Sequence, residues 1–285
     1  MIDLSLDYIK TLVNRALEED IGKGDITTSV LIPPGARCCA SLIFKEKGII
    51  AGMGFANVTF ETLDPDVKYI PYARDGGLVE KGQVVAVWEG KAASLLTGER
   101  TALNFVQHLS GIATNVFRLT KIFEGNKTVL LDTRKTIPGL RLAEKYAVSL
   151  GGGINHRIGL YDGILIKNNH LVFYPNIADA VKKAKNGAPD GMKIEVEIRR
   201  LEEIAPAIEA GVDVILLDNM NDRMIRKALE IIDGRVPVEV SGGITRERLF
   251  TLKKVGVDFI SMGSITHSSK ALDAHILMEP VKSKE

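Results

Sequence analysis

The chain has 285 residues, 45% of them hydrophobic and 26% charged, a globular balance with length for one large domain or two ordinary ones. Its 37 Lys and Arg against 36 Asp and Glu leave a formal net charge of +1, which argues against a general nucleic-acid or membrane-surface binder, since those carry a basic excess. The two cysteines, Cys38 and Cys39, are adjacent and suit neither a disulfide staple nor a zinc site, so a reduced, cytoplasmic protein is expected. The opening residues lack the basic-then-apolar pattern of a secretory signal, and no apolar run nears the roughly 20 residues of a membrane helix.

In chain order, residues 6–19 carry apolar side chains at helical spacing: Leu6, Ile9, Val13, Ala16 and Leu17. Strand-like stretches follow at 39–45 and 47–52, and residues 75–90 (DGGLVEKGQVVAVWEG) alternate between glycine turns and strands. A helix over about 93–113 leads into a different regime.

From about Thr128 onward one unit recurs: a short Val- and Ile-rich run, then an amphipathic helical stretch. The runs lie at 128–132, 162–167, 193–198, 212–218, 236–243 and 257–263, and are apolar on both faces, as parallel strands covered on both sides require. Helices are expected over 201–210 and 246–255, with Gly211 and Gly256 where each would stop. Residues 209–218 and 254–263 read as diverged copies of one βα unit. The first strand is not followed by G-x-G-x-x-G, so a β/α barrel with fewer than eight strands is preferred over a dinucleotide-binding sheet. The tail, 271–278, reads as a helix.

A barrel carries its chemistry at the C-terminal ends of its strands. The early ends offer cations, Arg134 and Lys135 beside Thr133, then Lys167; Arg157, next to His156, joins them. Such crowding repels unless an anion is bound, and Arg forks suit carboxylates. The middle ends offer Glu197 and Asp218, fit for Mg²⁺ or for ribose hydroxyls. The late ends offer Ser241, Gly242 and Gly243, then Met262, Gly263, Ser264 and His267, whose backbone amides suit phosphate. The expected ligand is a small polyanion with both carboxylate and phosphate. His108 and His170 are expected to be structural, and His275 to lie on the surface.

These motifs, DTRKTIPGLR (132–141) with Lys145, GGGINHR (151–157) and IKNNH (166–170), resemble the hallmarks of the decarboxylating quinolinate phosphoribosyltransferases of NAD synthesis. The segments EDIGKGDITT, GERTALN, EVE, LLDN, SGGI and MGSITH agree, so the resemblance covers nearly the whole chain in order. It implies an α/β fold: an N-terminal α/β sandwich domain (1–107), onto which the tail 271–285 packs, and an incomplete β/α barrel (108–270). It implies a homodimer in which Arg100 enters the partner's site. Arg134, His156, Arg157 and Lys167 match residues that grip the quinolinate carboxylates. Lys135 and Lys167 match lysines near phosphoribosyl pyrophosphate, Glu197 and Asp218 the carboxylates at ribose and Mg²⁺, and Ser241–Gly243, Gly263, Ser264 and His267 the phosphate loops.

Overall fold

The computed structural model describes residues 2–281, which form two compact units. The first takes in the chain up to Phe117, Leu142–Gly152 and the chain from Ser268 on; the second takes in Arg118–Arg141 and Gly153–His267.

In the first unit, α1 (Leu6–Ile21) starts at Ser5, whose hydroxyl accepts from the Tyr8 amide, and buries Val13 and Leu17. Asp25 caps the short α2 (Ile26–Leu31) in the same way. β1 (Arg37–Phe44) alternates strictly, turning Cys38, Ala40, Leu42 and Phe44 inward. Then come β2 (Gly48–Ile49), α3 (Met53–Leu63), β3 (Lys68–Pro71), β4 (Leu78–Val79), β5 (Val84–Lys91) and the long α4 (Ala92–Thr120). The core gathers round Trp88, whose ring stacks on Tyr69 at 5.2 Å and meets Phe60 at 4.9 Å. Its indole N–H donates to Asn57 Oδ1 at 3.2 Å, so the buried ring leaves no orphaned donor. α5 (Arg141–Leu150) follows β6 (Val129–Leu131) in sequence, yet its residues from Leu142 on belong to the first unit.

The second unit is a six-stranded parallel sheet. After β6 come β7 (Ile164–Ile166), α6 (Asn168–Leu171), α7 (Ile177–Gly187), β8 (Ile194–Ile198), α8 (Ile204–Glu209), β9 (Val214–Asp218), α9 (Asp222–Ile232), β10 (Val238–Ser241), α10 (Arg246–Val255), β11 (Phe259–Ser261) and α11 (Ser264–His267). The spatial order is β6-β11-β10-β9-β8-β7, the order of a barrel cut open between its first two strands. At the cut, Ile154 makes a single parallel bridge to Leu131, a strand reduced to one residue. Every expected parallel strand is present, and α10 fills 246–255, ending on Gly256 at φ +79°.

Several expectations differ from the structure: residues 201–210 form a 3-10 turn (Leu201–Glu203) and the short α8 rather than one helix, and His275, expected on the surface, is half-buried. The tail is a strand: β12 (Ala274–Pro280) pairs antiparallel with β1 and completes the sheet order β12-β1-β5-β3. Its period is two, with Ala274 and Ile276 buried, and the partner that fixes it lies more than 200 residues earlier. The expected division after residue 107 falls inside α4, which runs unbroken to Thr120, whereas the units divide after Phe117.

Candidate active site

The C-terminal ends of the parallel strands surround a cavity of about 290 Å³ within the second unit. β6 delivers Asp132, Thr133, Arg134 and Lys135; the segment after Ile154 delivers His156 and Arg157. Lys167 follows β7, while Glu197 and Asp218 end β8 and β9. Ser241, Gly242 and Gly243 close the ring after β10. The segment after β11 adjoins this wall: a Cβ on Gly263 would lie 2.6 Å from Lys135 Cδ, and the Thr266 hydroxyl donates to the Lys135 carbonyl at 2.7 Å. His267 Nε2 lies 3.3 Å from that same Cβ position, Ser264 opens α11, and Met262 is buried. Arg100 is not among the residues lining the cavity; it is exposed on α4 in the first unit.

The cations are arranged for a ligand. Burial, and next the charge of Arg134, lower the pKa of Arg157, so the two guanidiniums are close enough to oppose each other. Arg134 Nε is buried without a hydrogen-bond partner among the described residues. A buried charged donor left unmade is costly, and an anion in the cavity would remove the cost. Arg157 is steadied by donating from Nη1 to the Gly163 carbonyl at 2.9 Å. Arg141, the last residue of DTRKTIPGLR, joins the two motif loops by donating to Thr136 Oγ1 at 3.2 Å and to the Ile158 carbonyl at 3.2 Å. Lys135 and Lys167 are exposed residues of the cavity lining.

Behind the cations lie buried carboxylates. Asp132, 0% exposed, accepts from Asn155 Nδ2 at 2.7 Å and from the His156 amide at 2.8 Å. His156 Nε2 lies 2.8 Å from Glu195 Oε2 and 3.5 Å from Glu239 Oε2. Burial opposes a charge on the ring, but the bonds to Glu195 and Glu239 outweigh it and push the His156 pKa up to about 10. The Arg157 amide, however, points at Nδ1 from 2.8 Å and requires a lone pair there. A proton on each ring nitrogen would set N–H against N–H, so this contact opposes the extra proton that Glu195 and Glu239 favour. Burial first raises the Glu195 pKa, and Glu239 adds to it. Both nitrogens of His156 are therefore engaged within the protein, where the resemblance implied contact with a substrate carboxylate.

On the opposite wall Glu197 and Asp218 converge on one cation. Arg199 Nη2 lies 3.2 Å from Glu197 Oε1 and 3.3 Å from Asp218 Oδ2, while Asn168 Nδ2 donates to Glu197 at 2.5 Å. Sequence reading missed Arg199 and Glu239, and left Asn168 and Asn155 inside the motifs IKNNH and GGGINHR without a role; only the inward Glu of the otherwise apolar VEV strand was a signal for Glu239. At the glycine turn, Gly242 and Gly243 take φ +91° and +57°, and Asn219 beside them takes +55°. A Cβ on Gly242 would collide with the Asn219 side chain, whereas the space before Gly243 is open. The turn runs into α10 through the N-cap Thr245, an amide-rich, anion-attracting end. His108, by contrast, bonds Glu144 at 2.9 Å within the first unit, a structural contact.

A parallel barrel whose mouth joins a guanidinium clamp, a carboxylate pair and a glycine turn defines an enzyme class that handles small polyanions. Comparison with known proteins makes the class specific. Residues 25–110 match the N-terminal domain and residues 112–277 the C-terminal domain of quinolinate phosphoribosyl transferase. A Bacillus subtilis strain 168 protein named as a probable nicotinate-nucleotide pyrophosphorylase (carboxylating) is 44% identical over 278 residues, covering 97% of this chain and 95% of that one. The chloroplastic nicotinate-nucleotide pyrophosphorylase (carboxylating) of Arabidopsis thaliana is 40% identical, covering 95% and 83%. Among solved structures, NadC from Streptococcus pyogenes superposes with a TM-score of 0.94 at 36% identity, covering 99% and 100%. The Francisella tularensis nicotinate-nucleotide pyrophosphorylase gives 0.93 at 42%, covering 98% of each chain. The chain belongs to the quinolinate phosphoribosyltransferase family.

Proposed function

We propose that this chain joins quinolinate to phosphoribosyl pyrophosphate, giving nicotinate mononucleotide, pyrophosphate and carbon dioxide in NAD biosynthesis. The observation that carries this reading is the pair Arg134 and Arg157, held close against their mutual repulsion with Arg134 Nε unsatisfied. Two carboxylates on one ring meet that demand; one meets half of it. Quinolinate sits against Arg134, Arg157 and Lys167, and its ring nitrogen faces the anomeric carbon of a sugar whose 5-phosphate rests on the amides of Gly242, Gly243 and Gly263. Lys135 follows the pyrophosphate as it departs, and Glu197 and Asp218 hold the ribose and favour positive charge at the anomeric carbon. Once the nitrogen is alkylated, the pyridinium accepts the electron pair released as the C2 carboxylate departs as carbon dioxide, and C2 then takes a proton. The chief task of the side chains is to align two mutually repelling anions.

Glu197 and Asp218 are oxygen donors of the kind Mg²⁺ takes, and their convergence on the single Arg199 Nη2 supports a cation seat there. Glu197 and Asp218 would hold Mg²⁺ there, and a bound ion would supply positive charge against the pyrophosphate. A homodimer is favoured by apolar side chains that each unit leaves in solvent: Ile26, Val30 and Leu31 on α2, and Leu160, Tyr161 and Phe173 in the barrel unit. In that dimer Arg100 completes the partner's site. No helix among the described residues is long and apolar enough to cross a membrane, and the adjacent free thiols suit a reducing cytoplasm.

Turnover decides the reading. With Mg²⁺ and phosphoribosyl pyrophosphate, the protein should release pyrophosphate when given quinolinate and none when given nicotinate. Equal release with nicotinate would mean a monocarboxylate enzyme and overturn the proposal.

A further inference from the structure

The clamp needs its two arginines at a fixed spacing, yet they arrive on separate segments. Arg134 follows the end of β6, and Arg157 follows the bridge residue Ile154 at the opening of the barrel. One residue of strand is a weak tie. Its backbone bonds are Ile154 N to the Leu130 carbonyl at 2.9 Å and Asp132 N to the Ile154 carbonyl at 3.2 Å. Beyond them the tie passes to a side chain. Asp132 is fully buried, and each of its carboxylate oxygens accepts from the second segment: Oδ2 from the Asn155 amide group, Oδ1 from the His156 backbone. The next residue along each segment leads into the clamp: Thr133 precedes Arg134, and His156 accepts the Arg157 amide on Nδ1. Glu195 and Glu239 hold the far side of the His156 ring. The segment bearing Arg157 is thus gripped from two sides, by Asp132 and by the Glu195–Glu239 pair.

We propose that Asp132 is a positioning residue for the quinolinate clamp, setting Arg157 against Arg134 by holding Asn155 and His156. The inference rests on the proposed reading of Arg134 and Arg157 as carboxylate ligands. Through these bonds Asp132 fixes the distance across which two like charges must share one dianion. Its removal therefore lowers quinolinate affinity and leaves the glycine turn, on β10, undisturbed.

The donor–acceptor pattern permits a swap. In Asp132→Asn one oxygen still accepts from the His156 amide, but the new amide group faces that of Asn155, donor against donor. Asn155→Asp alone sets carboxylate against carboxylate. Together, Asp132→Asn with Asn155→Asp restores both bonds with the roles exchanged. Calorimetry with quinolinate and, separately, phosphoribosyl pyrophosphate reads the effect. Each single change should weaken quinolinate at least about tenfold, the loss expected of one charge-assisted bond, raise its KM more than it lowers kcat, and spare phosphoribosyl pyrophosphate. The double change should recover most of the loss. If the double change fails to recover quinolinate binding, or the singles weaken both ligands alike, Asp132 serves only folding and the inference is overturned. It is also overturned if Asp132→Asn binds quinolinate normally while Arg157→Ala does not. If Arg157→Ala itself binds normally, the fault lies with the clamp reading instead.

Discussion

Arg157 and Gly243 line one cavity, and the proposed function gives them different tasks. Replacing Arg157 by Ala removes a charged, hydrogen-bonding fork from the quinolinate side, a loss of about 1.5–3 kcal/mol, or about tenfold or more in affinity. Phosphoribosyl pyrophosphate should feel it far less. Gly243→Val should do the reverse. The site has room for a side chain, but φ of +57° suits no β-branched residue, and the new methyls would stand where phosphate must approach the amides. Equilibrium titration of both variants with both ligands checks the pair; a crossed result would reverse the assignment of the two walls. The same contrast explains what could be read from the chain. Arg134, Arg157, Glu197 and Asp218 were identifiable because barrel topology gathers strand ends and the motifs mark them. The contacts of Arg199 and Asn168 with Glu197 were not, because they depend on loop paths that no periodicity encodes.

Single elements repeat that lesson. α10 was readable in full, since its amphipathic run ends on a glycine that must adopt a left-handed conformation. β12 was misread because its partner β1 is distant in sequence, and short apolar stretches fit either period. α3 shows the same dependence on distant residues. It begins at Gly52 with no capping side chain of its own, and the cap is supplied from further along the chain. Asp75 accepts from the Gly52 and Met53 amides at 3.0 Å and from the Tyr146 hydroxyl at 3.0 Å. One carboxylate therefore serves both α3 and α5 inside the first unit. Burial raises the Asp75 pKa, so the bonds it accepts are made against a desolvation cost. Asp75→Ala should destabilise the fold by about 2–3 kcal/mol, because two helix-end donors and a phenol lose their acceptor. Urea unfolding measures it, and a change below about 0.5 kcal/mol, the range of plain surface substitutions, would show that solvent replaces the cap.

For the assembled molecule, Arg100 carries the strongest expectation. It is exposed on α4, and the proposed function places it in the partner's site. Arg100→Ala and Lys135→Ala proteins, each inactive alone, should regain part of the activity when mixed and allowed to exchange subunits, because some hybrids then hold one intact site. No recovery after proven exchange would remove Arg100 from the site. In the proposed reaction the cavity fixes quinolinate so that alkylation of its nitrogen and loss of its C2 carboxylate occur in one binding event. Quinolinate carrying label in the C2 carboxylate, and separately in the C3 carboxylate, tests this directly in the presence of phosphoribosyl pyrophosphate and Mg²⁺. The C2 label should leave as carbon dioxide in step with pyrophosphate, while the C3 label stays in the mononucleotide. Pyrophosphate released without labelled carbon dioxide, or label lost from C3, would contradict it.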